Sequence, residues 1–219
     1  MTEVVGNGAT PTPAGRSLEF WGYCMWGLAG LAIAVPELAS VFGLAGWPTI
    51  SNTIGHLEFQ HAWVRLVVVF VIVLLAYYAV PQLAIAQKPV LPGTVGGRAV
   101  TLNGRVTKPD SPITLLGAGY LATAAATFAF GVLFAAADRG MHPDSYLGAY
   151  VLYGLIALMW VIVPSILAMF FSRDVPFPTL FRTIGYLERR AHPFAAVLLG
   201  LLVVLLIHLA FYPWPRIQS

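Results

Sequence analysis

Charge is what this sequence has least of. Only 10% of its 219 residues are Asp, Glu, Lys or Arg, against 58% hydrophobic residues and a mean hydropathy of +0.79. An average soluble domain carries roughly 25% charged residues, so a water-soluble globule is excluded. Cysteine is nearly missing as well. Cys24 stands alone, which rules out an intrachain disulfide and a cysteine-based metal cage. The phosphate-binding Walker loop, the GxSxG nucleophile elbow, the HExxH zinc helix and the Cys-x-x-Cys pair are also absent. The enzyme mechanisms built on those motifs therefore have no support in the sequence.

What is present is apolar sequence in long runs. Crossing ~30 Å of hydrocarbon takes about 20 helical residues at 1.5 Å each. Five segments qualify: 19–44, 63–87, 113–137, 147–171 and 194–213. The expectation is an all-α integral membrane protein with a single membrane domain over 18–219. Residues 1–17, rich in Gly, Pro and Thr, lack the apolar stretch of a signal peptide and read as a flexible tail. Pro36 and Pro164 mark sites where the first and fourth helices can kink.

Basic residues give the orientation. Lys88, Arg98, Arg105 and Lys108 fall in the 88–112 loop, and Arg173, Arg182, Arg189 and Arg190 in 172–193, whereas 45–62 has none and 138–146 only Arg139. Short loops rich in Lys and Arg stay cytoplasmic. A multi-pass protein of the cell membrane follows, with its N-terminus inside and its C-terminus outside. Trp47, Trp63, Tyr212 and Trp214 then mark the outer boundary. The net charge of +3 is spent on topology, which leaves no basic face for nucleic acid. The glycines of 92–104 read as a flexible loop without a phosphate-cradling helix start.

The sequence also repeats itself. WPTISNTIGHLEF at 47–59 recurs as FPTLFRTIGYLER at 177–189, identical at seven of thirteen positions with an offset of 130. The shared motif residues include Pro48, Thr49, Thr53, Gly55 and Glu58 in the first copy, and Pro178, Thr179, Thr183, Gly185 and Glu188 in the second. Each copy reads as apolar helix, short amphipathic helix, apolar helix. Ile50, Ile54 and Leu57, with Leu180, Ile184 and Leu187, form a stripe suited to a helix lying on the membrane surface. Thr49 and Thr179 are placed to cap these helices, and Gly55 and Gly185 to admit a neighbouring helix. Because three spans separate corresponding positions, the two copies are expected to be inverted relative to one another, as in many transporters.

Glu37 is the carboxylate inside an apolar span, and an intramembrane charge is a functional candidate by default. With His208 and Arg65 it forms a candidate polar cluster, read either as helix-to-helix glue or as a proton, ion or quinone site. His56, His61 and His142 are weak metal candidates, since His56 and His61 point about 140° apart on a helix. A haem held by two histidines is poorly supported, because His208 is the histidine clearly within a span. Glu58 is expected to pair with His61, and Glu188 with Arg182 or a neighbour. The functional expectation is a small membrane subunit or scaffold, self-associating or joined to other membrane subunits in a larger complex of a respiratory or quinone-linked kind. Small residues such as Gly117, Ala118, Gly119 and Ala122 suit such packing. A small inverted-repeat transporter centred on Glu37 and His208 is the first alternative, and a haem- or quinone-binding redox subunit the second.

Overall fold

A computed structural model describes residues 18–87, 94–95, 98–100, 106–107, 114–172 and 174–211. The expected tail, most of the 88–112 loop, Arg173, Tyr212 and Trp214 lie outside the described residues. Among the described residues the secondary structure is helical apart from three strands of two or three residues, β1 (Thr94–Val95), β2 (Arg98–Val100) and β3 (Val106–Thr107), paired antiparallel in that order. The 92–104 segment read as a flexible loop thus carries some ladder pairing.

Among the described residues four helices are long and apolar enough to cross a membrane: Leu18–Val41 (α1), the Trp63–Pro81 part of α3 (Trp63–Gln87), Leu115–Met141 (α4) and the rod Leu147–Phe170. At 1.5 Å per residue the 24 residues of α1 reach about 36 Å. The fifth expected span falls on α8 (His192–Phe211), whose apolar stretch His192–His208 is shorter than these four. Two eleven-residue helices, α2 (Ile50–Gln60) and α7 (Leu180–Arg190), occupy the two motif copies.

The Leu147–Phe170 rod is α-helical at its ends, α5 (Leu147–Ile156) and α6 (Val163–Phe170), and π-helical between them at Ala157–Ile162. Pro164 lies just after this stretch. Val163 bonds five residues back to Leu158, and Pro164, having no N–H, cannot continue that ladder to the Met159 carbonyl. Tyr120 supplies the missing donor from α4, its hydroxyl lying 2.9 Å from that carbonyl. The expected break at Pro164 is therefore a π-helical segment, satisfied by a tyrosine of the neighbouring helix.

α4 buries a seam of mostly small residues, Gly117, Tyr120, Ala124, Gly131, Ala135 and Asp138, spaced three, four or seven apart, and packs along this rod at Gly131, Ala135 and Asp138. At Gly148, on the facing helix, an added Cβ would lie 2.8 Å from the Ala135 Cα, so the backbones touch there. Apolar lipid gives no hydrophobic drive between helices, and such close approach is what holds them. Gly117 meets the expectation of small packing residues, whereas Ala118, Gly119 and Ala122 face outward on α4. The main core gathers Met25, Trp26 and Ala29 of α1, Leu152, Ile156 and Trp160 of the rod, and Phe177 before α7. A second cluster sets Phe181 and Ile184 of α7 against Ala195 of α8.

The two short helices bury different sets of residues. On α2 the buried residues are Thr53, Gly55 and Glu58, while Ile50, Ile54 and Leu57 are half-buried. α7 buries Phe181, Thr183, Ile184, Gly185 and Tyr186. Both are wedged among the long helices. On α2 the small and polar face, which needs partners, is the one turned inward, whereas α7 also buries the apolar Phe181 and Ile184.

Candidate functional site at the first short helix

Most of the polar candidates converge on α2. Thr49 starts it with extended backbone (φ −63°, ψ 162°), and its hydroxyl accepts the Asn52 N–H at 3.2 Å. Thr53 Oγ1 donates back to the Thr49 carbonyl at 2.7 Å. The second copy repeats the backbone: Thr179 has φ −63° and ψ 160°, and Thr183 Oγ1 donates to its carbonyl at 3.0 Å. There the expected side-chain cap bond is not formed.

Glu37 reaches the start of α2. Its Oε2 accepts the Ile50 N–H at 2.7 Å, one of the orphan donors of a helix N-terminus, where the helix dipole also favours a negative charge. Tyr153 of α5 donates to the same oxygen at 3.2 Å, and its hydroxyl also lies 3.2 Å from the Pro48 carbonyl. The carboxylate of α1 and the tyrosine of α5 thus grip one helix start from two sides.

His208 arrives from α8, with Nε2 3.1 Å from Ser51 Oγ, one residue along from Ile50. His56 stacks on Tyr146, ring centroids 3.8 Å apart and 3° from parallel, and its Nδ1 lies 2.7 Å from the Tyr150 hydroxyl. Glu58 pairs with Arg65 of α3 rather than with His61, through contacts of 3.3 and 3.4 Å to Oε2. Glu58 is buried, and its Oε1 takes no hydrogen bond among the described residues. Burial pushes the Glu58 carboxyl above the usual carboxylate range, and the half-exposed Arg65 offsets this in part.

The expected cluster is therefore divided. Glu37 and His208 bind neighbouring residues of α2, and Arg65 serves Glu58 on another side. Glu188 lies 3.8 Å from His192, while Arg182 donates to the Tyr186 hydroxyl at 2.8 Å. His61 sits beside Trp63, and His142 is 3.5 Å from Asp138. Among the described residues no three His, Cys, Asp or Glu side chains gather in a metal-binding group. An apolar cleft of about 50 Å³ lies between α1 and α4, lined by Trp21, Cys24, Met25, Leu121 and Phe177 among others. It is far smaller than the roughly 300–1,000 Å³ of ordinary ligand pockets, and Cys24 lies about 20 Å along α1 from Glu37.

Three groups were missed from sequence. Asp138 accepts the Gly148 N–H at 2.7 Å, capping α5 as Glu37 caps α2. Trp26 Nε1 donates to the Pro178 carbonyl at 2.8 Å, binding α1 to the start of α7. Tyr153 performs the matching task at Pro48. The available signal was spacing for Asp138, which stands just before the short turn into α5, where orphan amides require acceptors. Compared with protein-family models, with curated proteins and with solved structures, the chain matches none.

Proposed function

We propose that this chain is a small multi-pass subunit or scaffold of a cell membrane, one that positions helices for a larger membrane assembly. The observation that carries this reading is where its intramembrane polar groups are spent. Glu37 and Asp138 cap helix starts, while Trp26, Tyr120 and Tyr153 donate to backbone carbonyls. Groups so engaged hold architecture. Purification in mild detergent tests the proposal: the expected result is a stable complex with other membrane proteins or with further copies of the chain. A monomer turning over a substrate on its own would refute it. The proposed topology has the N-terminus cytoplasmic and α2 outside. Cysteines placed at Phe59 and His142 in a Cys24→Ser background then react with an impermeant reagent added to intact cells, and one at Arg189 does not.

A second reading, an inverted duplication forming a small transporter or channel, is favoured by contacts that recur in exchanged form. Trp26 of α1 bonds the carbonyl of Pro178, and Tyr153 of the rod bonds that of Pro48, the same motif position in the other copy. His208 of α8 meets Ser51 of α2, and Tyr78 of α3 meets Phe181 of α7 with ring centroids 6.3 Å apart. Both partners of that last pair differ by the motif's offset of 130. Each short helix thus docks on the other copy's long helices, a pattern that supports pseudo-twofold symmetry. Proteoliposomes carrying the protein, with Glu37→Gln and His208→Ala beside it, test this reading. Ion flux above empty liposomes that both variants abolish would establish it, and flux equal to empty liposomes would remove it.

A further inference from the structure

The two short helices share a motif and a cap geometry but differ sharply in charge. α7 carries Arg182, Arg189 and Arg190, followed by His192, where α2 has Asn52, Phe59, Gln60 and, after it, Ala62. Arg190 is neutralised, its Nε lying 2.6 Å from Glu19 Oε1. Arg182 and Arg189 are not. Neither pairs with a carboxylate among the described residues, and both converge on one ring, Tyr186, with guanidinium carbons 5.8 and 5.1 Å from its centroid.

The spacing makes this convergence possible. Residues 182, 186 and 189 are four and three apart, and so lie on one face of the helix. Tyr186 is buried, and its hydroxyl accepts from Arg182 Nε at 2.8 Å. The ring therefore holds two positive charges at fixed places rather than letting them swing free. Guanidinium groups present planar sets of donors suited to phosphate oxygens. Glu188, the carboxylate of this helix, turns to His192 at 3.8 Å.

Exposed apolar residues stand on both sides of α7. Phe170 and Phe171 end the rod before it, and Phe194 and Val197 begin α8 after it. Along the chain, two cations that pair with no carboxylate among the described residues thus fall between two apolar helix ends, where a membrane chain turns at headgroup level. We infer that Arg182, Tyr186 and Arg189 form a seat for the phosphate of an anionic phospholipid at the face of the membrane on which α7 lies. The inference rests on the membrane-subunit reading and adds a ligand to it. Its chemistry is sequence-readable charge recognition at a bilayer surface, to which each arginine contributes roughly a fivefold preference for anionic lipid.

The test uses the full chain in detergent, titrated with phosphatidylglycerol, phosphatidylcholine or inorganic phosphate, and reads retained lipid by native mass spectrometry and the unfolding midpoint by scanning. Retention of phosphatidylglycerol over phosphatidylcholine by roughly tenfold or more is expected, with a raised midpoint. In Arg182→Gln/Arg189→Gln both effects shrink towards parity, whereas Arg139→Gln, on α4, keeps them. A midpoint raised equally by inorganic phosphate would assign the seat to a free anion and overturn the lipid assignment. Equal retention of the two lipids by the unmodified protein would overturn it too, while leaving the membrane-subunit reading intact. That reading would fail separately, through a protein that purifies folded without detergent. Should the double variant misfold, Tyr186→Phe, which removes only the hydroxyl bonded to Arg182, supplies a milder version with a smaller loss of selectivity.

Discussion

Glu37 and Ile50 are joined across thirteen residues by a 2.7 Å bond from amide to carboxylate, so the charge inside α1 is the cap of α2. Removing it in Glu37→Ala leaves an orphan amide, while Tyr153 keeps the Pro48 carbonyl, at a cost of about 1–3 kcal/mol. Glu37→Gln retains an acceptor and loses the charge, costing about 1 kcal/mol. Thermal unfolding of both variants in one detergent gives this order if the role is capping. An unchanged midpoint in Glu37→Ala would contradict it.

Trp26→Phe deletes the donor to Pro178 and should speed hydrogen exchange in α7 more than in α2. Tyr153→Phe should do the reverse. Each change strands a backbone acceptor, for a loss of roughly 1–3 kcal/mol if it stays dry. Exchange rates that rise equally in both short helices would show that the two contacts do not act locally.

Two glycines on one helix separate packing from propensity. An added methyl at Gly148 meets the Ala135 Cα at 2.8 Å, so Gly148→Ala must move backbone, at a cost of about 1–3 kcal/mol. At Gly154 nothing lies within 4 Å, and alanine there should stabilise by about 0.5–1 kcal/mol through helix propensity. Unfolding midpoints that move in the same direction would refute this close contact.

Glu58 sets a pH dependence. Its folded-state carboxyl is raised above the ordinary value of 4.5, chiefly by burial. The native state therefore holds this proton more tightly than the unfolded chain does. The resulting contribution is fully present below the ordinary value and is lost as pH rises through the raised one. Measured against Glu58→Gln, the unmodified protein should lose relative stability as pH climbs out of the acid range. Arg65→Gln, which removes the opposing cation, should extend that loss to higher pH. Parallel stability curves for Glu58→Gln and the unmodified protein would exclude the effect.

The long helices were legible because lipid imposes a simple rule, apolar residues over a required length, and α1, α3, α4 and the Leu147–Phe170 rod obey it. The Thr49 cap was legible for a similar reason, since its bond spans three residues. Glu37 was recognised as costly, but its partner was not, because its contact to Tyr153 spans 116 positions and depends on how α5 packs. The Ile50, Ile54 and Leu57 stripe does not mark the buried face of α2, because amphipathic patterns find that face only where the surroundings are water. Arg65 was grouped with Glu37, whereas the turn between α2 and α3 brings it back to Glu58, seven residues earlier. Depth in the membrane follows from composition, and azimuth around each helix does not.

The π-helical stretch at Ala157–Ile162 carries a historical implication. Trp26 precedes Pro36 by ten residues, and Tyr153 precedes Pro164 by eleven, so under the proposed duplication the second copy holds one residue more between its aromatic donor and its proline. A π turn is how a helix accommodates a single inserted residue without rotating everything beyond it. Under that proposal the stretch absorbs the one extra residue. Excising any one outward-facing residue within it, such as Leu158, should let the rod rewind as uninterrupted α-helix while both of its ends keep their present neighbours.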